Sequence, residues 1–187
     1  MMKCLDKLSE EQLWLRPNEA SNSIGNILLH LCGNIRQYII SALGDQPDVR
    51  ERDKEFSAKE GYNKEELLNK LTAILEQAVN VIRNTDEARL MKIYSVQGFT
   101  YSGIGIIVHV TEHYSHHTGQ IIFWTKLLTG NDLGFYAHID LNKKNKMKTH
   151  KFRMYPNKKV EQKLLDTLDL CRQTYNVLLG ELNAQKE

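Results

Sequence analysis

The chain has 187 residues, a hydrophobic content of 41% and a formal net charge of +2. This length predicts one compact domain with a short appendage. The net charge is too small to indicate that the chain as a whole binds nucleic acid or a membrane surface. Three cysteines without a CxxC pair argue against a disulfide framework, and no apolar stretch reaches the roughly 20 residues of a membrane span. Together these features favour a cytoplasmic protein.

The first two predicted helices differ in length. Ser9 and Gln12 match a capping box, and the helix that they begin is stopped by a proline after about two turns. A second, longer helix is predicted over about 23–42, where apolar residues recur every three or four positions and Gly44 follows. His30 borders the apolar stripe of this helix.

The remaining elements complete a bundle. Residues 45–62 are polar and irregular, so we predict a loop that is long enough to cross the height of the bundle. A third helix is predicted over about 63–83 and a fourth over about 103–128, separated by a connection with a β-prone run at 84–102. Four such helices predict an all-α four-helix bundle with long crossover connections.

Three histidines follow one another on the fourth helix. His109, His113 and His117 are four residues apart, so they face the same way. Two imidazoles so placed can bind one metal ion at about 2.0–2.1 Å per nitrogen, whereas His109 and His117 are roughly 11 Å apart, too far to share an ion. The spacing leaves two pairs open, His109 with His113 or His113 with His117. Without a third ligand such a pair is more simply a packed or surface feature, and His30 is the candidate third ligand.

A resemblance to a known family rests on four segments. They are W-L-R-P-N at 14–18, S-I-G-N-I-L-L-H-L at 23–31, D-V-R-E-R-D at 48–53 and H-x-x-H-H-x-G-Q-I at 113–121. Through them the chain resembles the DinB-like superfamily over about 9–140. The resemblance implies a four-helix bundle that binds a divalent metal ion, often zinc or nickel, through His30, His113 and His117. It also implies either a thiol transferase that uses a low-molecular-weight thiol or a metal-dependent hydrolase.

Three further residues are expected around these ligands, namely His109, His116 and Gln120. Three neutral imidazoles leave at least one coordination position open, as in catalytic rather than structural sites. A metal ion lowers the pKa of a water molecule bound there. The affinity order of first-row metals does not single out one ion for nitrogen ligands. We also consider a homodimer.

The composition changes after Asp140, where basic residues dominate 143–163. A solvated linker is the simplest interpretation of such a run. Two segments give it another meaning, M-K-T-H-K-F-R-M-Y-P-N at 147–157 and C-R-Q-T-Y-N at 171–176. They resemble the N-terminal start of TnpB-type insertion-sequence transposase-associated proteins. We therefore predict a DinB-like metal-binding bundle at 1–142 and, at 143–187, a basic TnpB-like helix-turn-helix fragment with a strand and then a helix over about 158–182.

The second resemblance implies an alternative function, nucleic-acid binding. The candidate contact residues are Lys148, Lys151, Arg153, Lys158 and Lys159. The large nuclease body of the TnpB-type proteins has no counterpart here, so we expect no nuclease activity. The simplest origin is a composite reading frame in which Met147 marks the start of an inserted element, and a fusion product without catalysis is a further alternative. The short first helix also suggests that the bundle has lost N-terminal residues.

Overall fold

The computed structural model describes residues 1–144 and 157–184. The chain divides into two units, Met1–His138 and Ile139–Glu187. Each unit is mainly helical over its described residues. None of the described helices combines the length and the apolar character that a membrane crossing requires.

Two short helices, α1 (Met2–Leu5) and α2 (Glu10–Trp14), begin the first unit. The sequence analysis did not predict α1, which is a single turn too short to show a period. The predicted capping box of α2 is confirmed, because the backbone N–H of Gln12 donates to Ser9 Oγ at 3.1 Å and the backbone N–H of Ser9 donates to Gln12 Oε1 at 2.9 Å.

The second predicted helix is the central element of the first unit. It consists of α3 (Ile24–Ile35) and a π-helical continuation, Arg36–Leu43. Every residue of α3 except Gly33 is buried. The apolar spacing predicted a helix here but did not reveal the change to π-helical hydrogen bonding. α3 packs against the helices that follow it in the chain and so lies in the middle of the site described below.

The predicted loop over 45–62 is partly wrong, since it contains a helix, α4 (Arg52–Ser57). This helix has no side-chain N-cap, and its six residues are too few to show a hydrophobic period. Tertiary contacts hold it against α3 instead, and they bury Glu55, which is 8% exposed. The sequence therefore gave no local signal for α4.

The other elements of the first unit follow in chain order. They are α5 (Lys64–Arg83), α6 (Glu87–Met91), β1 (Ile93–Val96), β2 (Phe99–Ser102) and α7 (Gly103–Thr129). The two strands form an antiparallel hairpin in which Val96 pairs with Phe99. Gln97 and Gly98 turn the hairpin with φ values of 53° and 81°, the left-handed conformation of a tight two-residue turn. The third and fourth predicted helices, α5 and α7, are confirmed.

The second unit contains α8 (Lys158–Ala184), close to the helix predicted over 158–182. Asn157 caps its first turn, since Asn157 Oδ1 accepts a hydrogen bond from the backbone N–H of Val160 at 3.0 Å. The strand predicted before this helix lies outside the described residues.

Candidate metal centre

The structure brings together three of the predicted histidines. His30 lies in the centre of α3 and is 7% exposed, while His113 and His117 lie one turn apart on α7 and are partly buried. Nε2 of His30 is 2.8 Å from Nε2 of His113. The ring centroid of His117 is 5.0 Å from that of His30 and 4.4 Å from that of His113. One nitrogen from each ring lies within 4.8 Å of the other two.

This nitrogen set is compatible with a divalent metal ion. Three nitrogens that bind one tetrahedral ion at about 2.0–2.1 Å are about 3.3 Å from one another. The nitrogens of His30 and His113 are already closer than that, and the largest separation in the group exceeds it by little more than an ångström. Small rotations of the rings are therefore sufficient to complete a three-nitrogen site.

His30 is held in the orientation that metal binding requires. Its Nδ1 lies 3.1 Å from Glu55 Oε2, which can only accept, and 3.1 Å from Arg50 Nη2, which can only donate. When Nδ1 donates to Glu55, Nε2 of His30 keeps its lone pair and faces His113. A carboxylate that fixes the tautomer of a histidine in this way is a common partner of metal-binding imidazoles.

Arg50 binds the same carboxylate. Its Nε donates to Glu55 Oε1 at 2.7 Å and its Nη2 to Glu55 Oε2 at 2.8 Å, a bidentate pair in which the Arg50 side chain is only 2% exposed. Burial raises the pKa of Glu55, but the hydrogen bonds from Arg50 and His30 outweigh it, so the pKa is lowered overall. Glu55 is therefore a carboxylate at neutral pH and an acceptor for His30.

Gly33 leaves the space that this carboxylate occupies. It lies one turn after His30 on α3, and a Cβ atom at this position would be 1.8 Å from Glu55 Oε1 and 2.9 Å from Arg50 Nε. Any side chain here would overlap the Glu55–Arg50 pair. Glycine is therefore required for the close approach of Glu55 to α3.

Asn26 fixes the segment that carries Glu55. Asn26 is fully buried, and its Nδ2 donates to the backbone carbonyls of Glu55 at 2.9 Å and Ala58 at 2.7 Å. Its Oδ1 accepts from Nη2 of Arg16 at 2.9 Å, and the same guanidinium donates to the carbonyl of Phe56. These bonds satisfy backbone groups at the end of α4 that would otherwise be unpaired.

Gln120 contacts Nδ1 of His117, as Glu55 contacts Nδ1 of His30. Nδ1 of His117 lies 2.7 Å from Gln120 Oε1, which can only accept, so Nδ1 carries the proton and Nε2 keeps its lone pair. Gln120 is exposed and lies one turn after His117 on α7. His117 is thus held in the tautomer that binds metal through Nε2.

The remaining predicted histidines contact the group without joining it. The ring of His109 stacks on that of His113 at 5.6 Å between centroids, and it also stacks on Tyr101 at 5.2 Å. His116 is exposed and meets the ring of His117 edge-on at 5.1 Å. The structure thus favours neither of them as a third ligand over His30.

His113 and His117 are held in their neutral form. Burial, together with smaller contributions from the neighbouring histidines, lowers the pKa of His113 to about 4. Burial also lowers the pKa of His117, although the hydrogen bond to Gln120 acts in the opposite direction. Neutral imidazoles are the form that binds metal.

The candidate nucleic-acid contacts fall in two groups. Lys148, Lys151 and Arg153 lie outside the described residues. Lys158 and Lys159 occupy the first turn of α8 and are exposed.

The sequence analysis missed the residues that support His30. Arg50 and Asn26 lie inside the segments that carry the family resemblance, and Glu55 lies two residues beyond one of them. The charged motif at 48–53 in a polar loop was the available signal. It could not be assigned to His30, because residues 30 and 55 meet only through the packing of α4 on α3.

Comparisons with known proteins agree with the fold of the first 140 or so residues. A DinB-like protein from Bacillus subtilis has the same fold, with a TM-score of 0.54 at 18% sequence identity over 72% of this chain and 87% of that chain. A DinB-like protein from Bacillus cereus has a TM-score of 0.53 at 18% identity over 67% of this chain and 81% of that one. At such identity the likeness shows the fold alone, and it confirms the DinB-like helical fold predicted from the sequence.

Two family profiles match the sequence. No curated protein gives a match. Residues 147–186 match the family described as a helix-turn-helix domain, of the OrfB group of insertion-sequence proteins, which confirms the coarser prediction of a transposase-associated segment at this end of the chain. Residues 1–143 match the family described as "Protein of unknown function (DUF1572)". Since that match covers most of the chain, the protein belongs to the DUF1572 family, and this part of it has a DinB-like fold.

Proposed function

We propose that this protein binds a divalent metal ion, zinc or nickel, through His30, His113 and His117. One observation carries the proposal: ring nitrogens from two different helices converge to within 4.8 Å of one another. The surroundings support it, because Gln120 accepts the Nδ1 proton of His117 and leaves its Nε2 free, and because the Glu55 carboxylate contacts Nδ1 of His30.

We propose further that the site is catalytic, as a metal-dependent transferase of a low-molecular-weight thiol or as a hydrolase. Three protein ligands leave a coordination position open, where the ion would lower the pKa of a bound thiol or water. The protein supplies the orientation of the ligands through Glu55, Arg50 and Gln120. It also supplies a cavity of about 450 Å³ whose wall includes His30 and His117.

Elemental analysis of the purified protein tests metal binding directly. We expect close to one ion per chain in the wild type and none after the double substitution His113→Ala and His117→Ala. His116→Ala is the matched control, since His116 is the exposed neighbour of His117 and is outside the nitrogen group. A wild-type protein that takes up neither zinc nor nickel would overturn the proposal. Activity assays on the metal-loaded protein, with small thiols and with hydrolysable esters, then distinguish a transferase from a hydrolase. A metal-loaded protein that is inactive in both assays is consistent with a fusion product without catalysis.

A second function is proposed for the C-terminal part, binding of nucleic acid. The helix-turn-helix match at 147–186 favours it, and the basic residues at the start of α8 supply charge for phosphate contacts. Fluorescence anisotropy with labelled DNA and RNA at 50 and 200 mM salt tests it. We expect steeply salt-dependent binding, with a salt slope smaller by about 1 for each of Lys158→Gln and Lys159→Gln. Binding that is absent, or insensitive to salt, excludes this function.

Two organisational proposals accompany these functions. We propose a boundary near residue 142 between the bundle and the basic fragment, and limited proteolysis that leaves a stable product ending there supports it. We also propose a homodimer. Light scattering of the full chain at micromolar concentration tests it, and a monomeric mass excludes it.

A further inference from the structure

One cavity opens next to the histidine group, and we call it the histidine cavity. It has a volume of about 450 Å³, within the range of small-molecule sites. His30 and His117 form part of its wall, and three aromatic residues, Phe56, Phe123 and Trp124, form another part. A molecule in this space can therefore touch both the proposed metal ligands and a largely aromatic surface.

The described side chains that form the wall of the histidine cavity carry no formal charge. Among the described residues that line it there is no Asp, Glu, Lys or Arg, and its polar contribution comes from Ser21, Asn22 and Gln120. Arg52 lies 4.7 Å above the Phe56 ring but is not part of the wall. A charge on the body of a bound molecule would lose water here without gaining a partner of opposite sign.

The charged residues of this region line a different cavity, which we call the basic cavity. It also has a volume of about 450 Å³, and its lining includes Arg36, Arg50, Lys54 and Lys70 together with the carboxylate of Glu55. Glu55 contacts His30, so the two cavities meet at the His30–Glu55 hydrogen bond. The charged residues therefore lie on the Nδ1 side of His30, where Glu55 contacts it, and the uncharged histidine cavity lies beside the same ring.

We infer that the histidine cavity accepts a ligand with one metal-binding head and an uncharged, apolar body. This inference rests on the proposed metal site, because the ion supplies the only positive charge that the head would meet in the cavity. Aromatic rings on the wall favour a planar or aromatic body, which they contact by stacking or edge-on packing. Zwitterionic and polycarboxylate thiols do not fit this description.

Hydroxamates on the zinc-loaded full chain test the inference, since they share one metal-binding head and differ in the body. Isothermal titration calorimetry compares benzohydroxamate, acetohydroxamate and 4-carboxybenzohydroxamate. We expect benzohydroxamate to bind at least tenfold more tightly than acetohydroxamate, and the added carboxylate to weaken binding at least tenfold. Equal affinities for the first two, or tighter binding of the carboxylate, would overturn the inference.

Two substitutions on α7 locate the effect. Phe123→Ala removes a wall residue that is 68% exposed, so the helix is expected to fold and to keep its zinc. Phe123→Ala should reduce the preference for benzohydroxamate severalfold. Leu127→Ala should leave that preference unchanged, because Leu127 lies one turn after Phe123, is 62% exposed and is not part of the wall. A preference that survives Phe123→Ala undiminished contradicts the inference.

The titrations also separate this inference from the proposed function. A protein that takes up neither zinc nor nickel and binds no hydroxamate overturns both. A protein that takes up zinc and binds all three hydroxamates equally keeps the metal site and overturns only the uncharged-body requirement. Chelator-treated protein serves as the blank, and we expect it to bind none of the three.

Discussion

Glu55 accepts a hydrogen bond from Nδ1 of His30 at 3.1 Å, and this contact joins a six-residue helix to the centre of the bundle. The carboxylate is shared with Arg50, which is buried and bidentate. Glu55 thus contacts Nδ1 on one side of the His30 ring, while Nε2 on the other side faces His113. The following predictions test this arrangement and the fold that supports it.

Glu55→Gln is expected to weaken zinc binding 10- to 100-fold, as the loss of such a partner typically does. The amide is nearly the same size as the carboxylate, but it is neutral and no longer favours the Nδ1–H form of His30 as strongly. Competition with a chromophoric chelator measures the zinc affinity. Glu51→Gln is the control, because Glu51 is exposed and pairs only with Lys54 on the surface. Unchanged affinity in Glu55→Gln would show that the contact does not position His30.

Gly33→Ala is expected to lower the free energy of unfolding by about 1–3 kcal/mol and to weaken zinc binding as well. The added methyl group would overlap Glu55 Oε1, which lies 1.8 Å from its position, and overpacking of a filled space typically costs this much. Urea denaturation and the chelator competition measure the two effects.

The control for this variant is Gly119→Ala on α7. A Cβ atom there meets nothing within 4 Å, so the substitution should stabilise the helix by about 0.5–1 kcal/mol and leave zinc binding intact. Equal behaviour of the two variants would contradict the role of Gly33.

Acid is expected to destabilise the metal-free protein between about pH 6.5 and pH 4. The pKa of His113 is lowered to about 4 in the folded chain, chiefly by burial, so in this range the unfolded chain binds a proton that the folded chain does not. The stability is fully present above the ordinary pKa of histidine and is lost as the pH falls through this window. The lowered pKa values of His117 and Glu55 act in the same direction.

Urea midpoints at several pH values after chelator treatment measure this effect. His113→Gln, which cannot titrate, should show a shallower fall between pH 7 and pH 5. His138→Gln, an exposed residue outside the histidine group, should keep the full slope. An identical slope in all three proteins would contradict the pKa assignment.

Asn26→Ala is expected to destabilise the protein by about 1–3 kcal/mol, because it removes the side-chain donor to the carbonyl of Glu55 and the shorter of two hydrogen bonds to the carbonyl of Ala58. Since those carbonyls lie at the end of α4, zinc affinity should fall together with stability. Denaturation and chelator competition are the measurements. Asn69→Ala, at an exposed position of α5, is the control and should change neither quantity.

Much of the helical framework could be predicted from local sequence signals. Capping boxes at Ser9 and Asn63 mark two helix starts in the sequence, and the structure contains both. It also contains one at Ser23, which the sequence analysis did not identify. These predictions succeed because a capping box and a hydrophobic period are properties of neighbouring residues. α4 could not be predicted in this way, because its six residues are held by the side chains of Asn26 and Arg16, which lie far away in the sequence.

The histidine group shows the same division. Spacing on α7 limited the pair to His109 with His113 or His113 with His117, and the resemblance to DinB-like proteins favoured the second. The convergence of His30 on that pair, within 4.8 Å, depends on how α3 packs against α7. The residue spacing within α7 cannot predict that distance, because His30 lies on another helix.

The sequence by itself determined the long helices, the row of histidines on α7 and the change to a basic segment near residue 140, because each depends on residues that are neighbours along the chain. Only the tertiary structure decided that Glu55 and Arg50 stand behind His30, that Gly33 makes room for them, and that an uncharged cavity lies in front. The physical reason is that hydrogen bonds and excluded volume act over a few ångströms. Residues 25 positions apart can satisfy them only after the helices have packed.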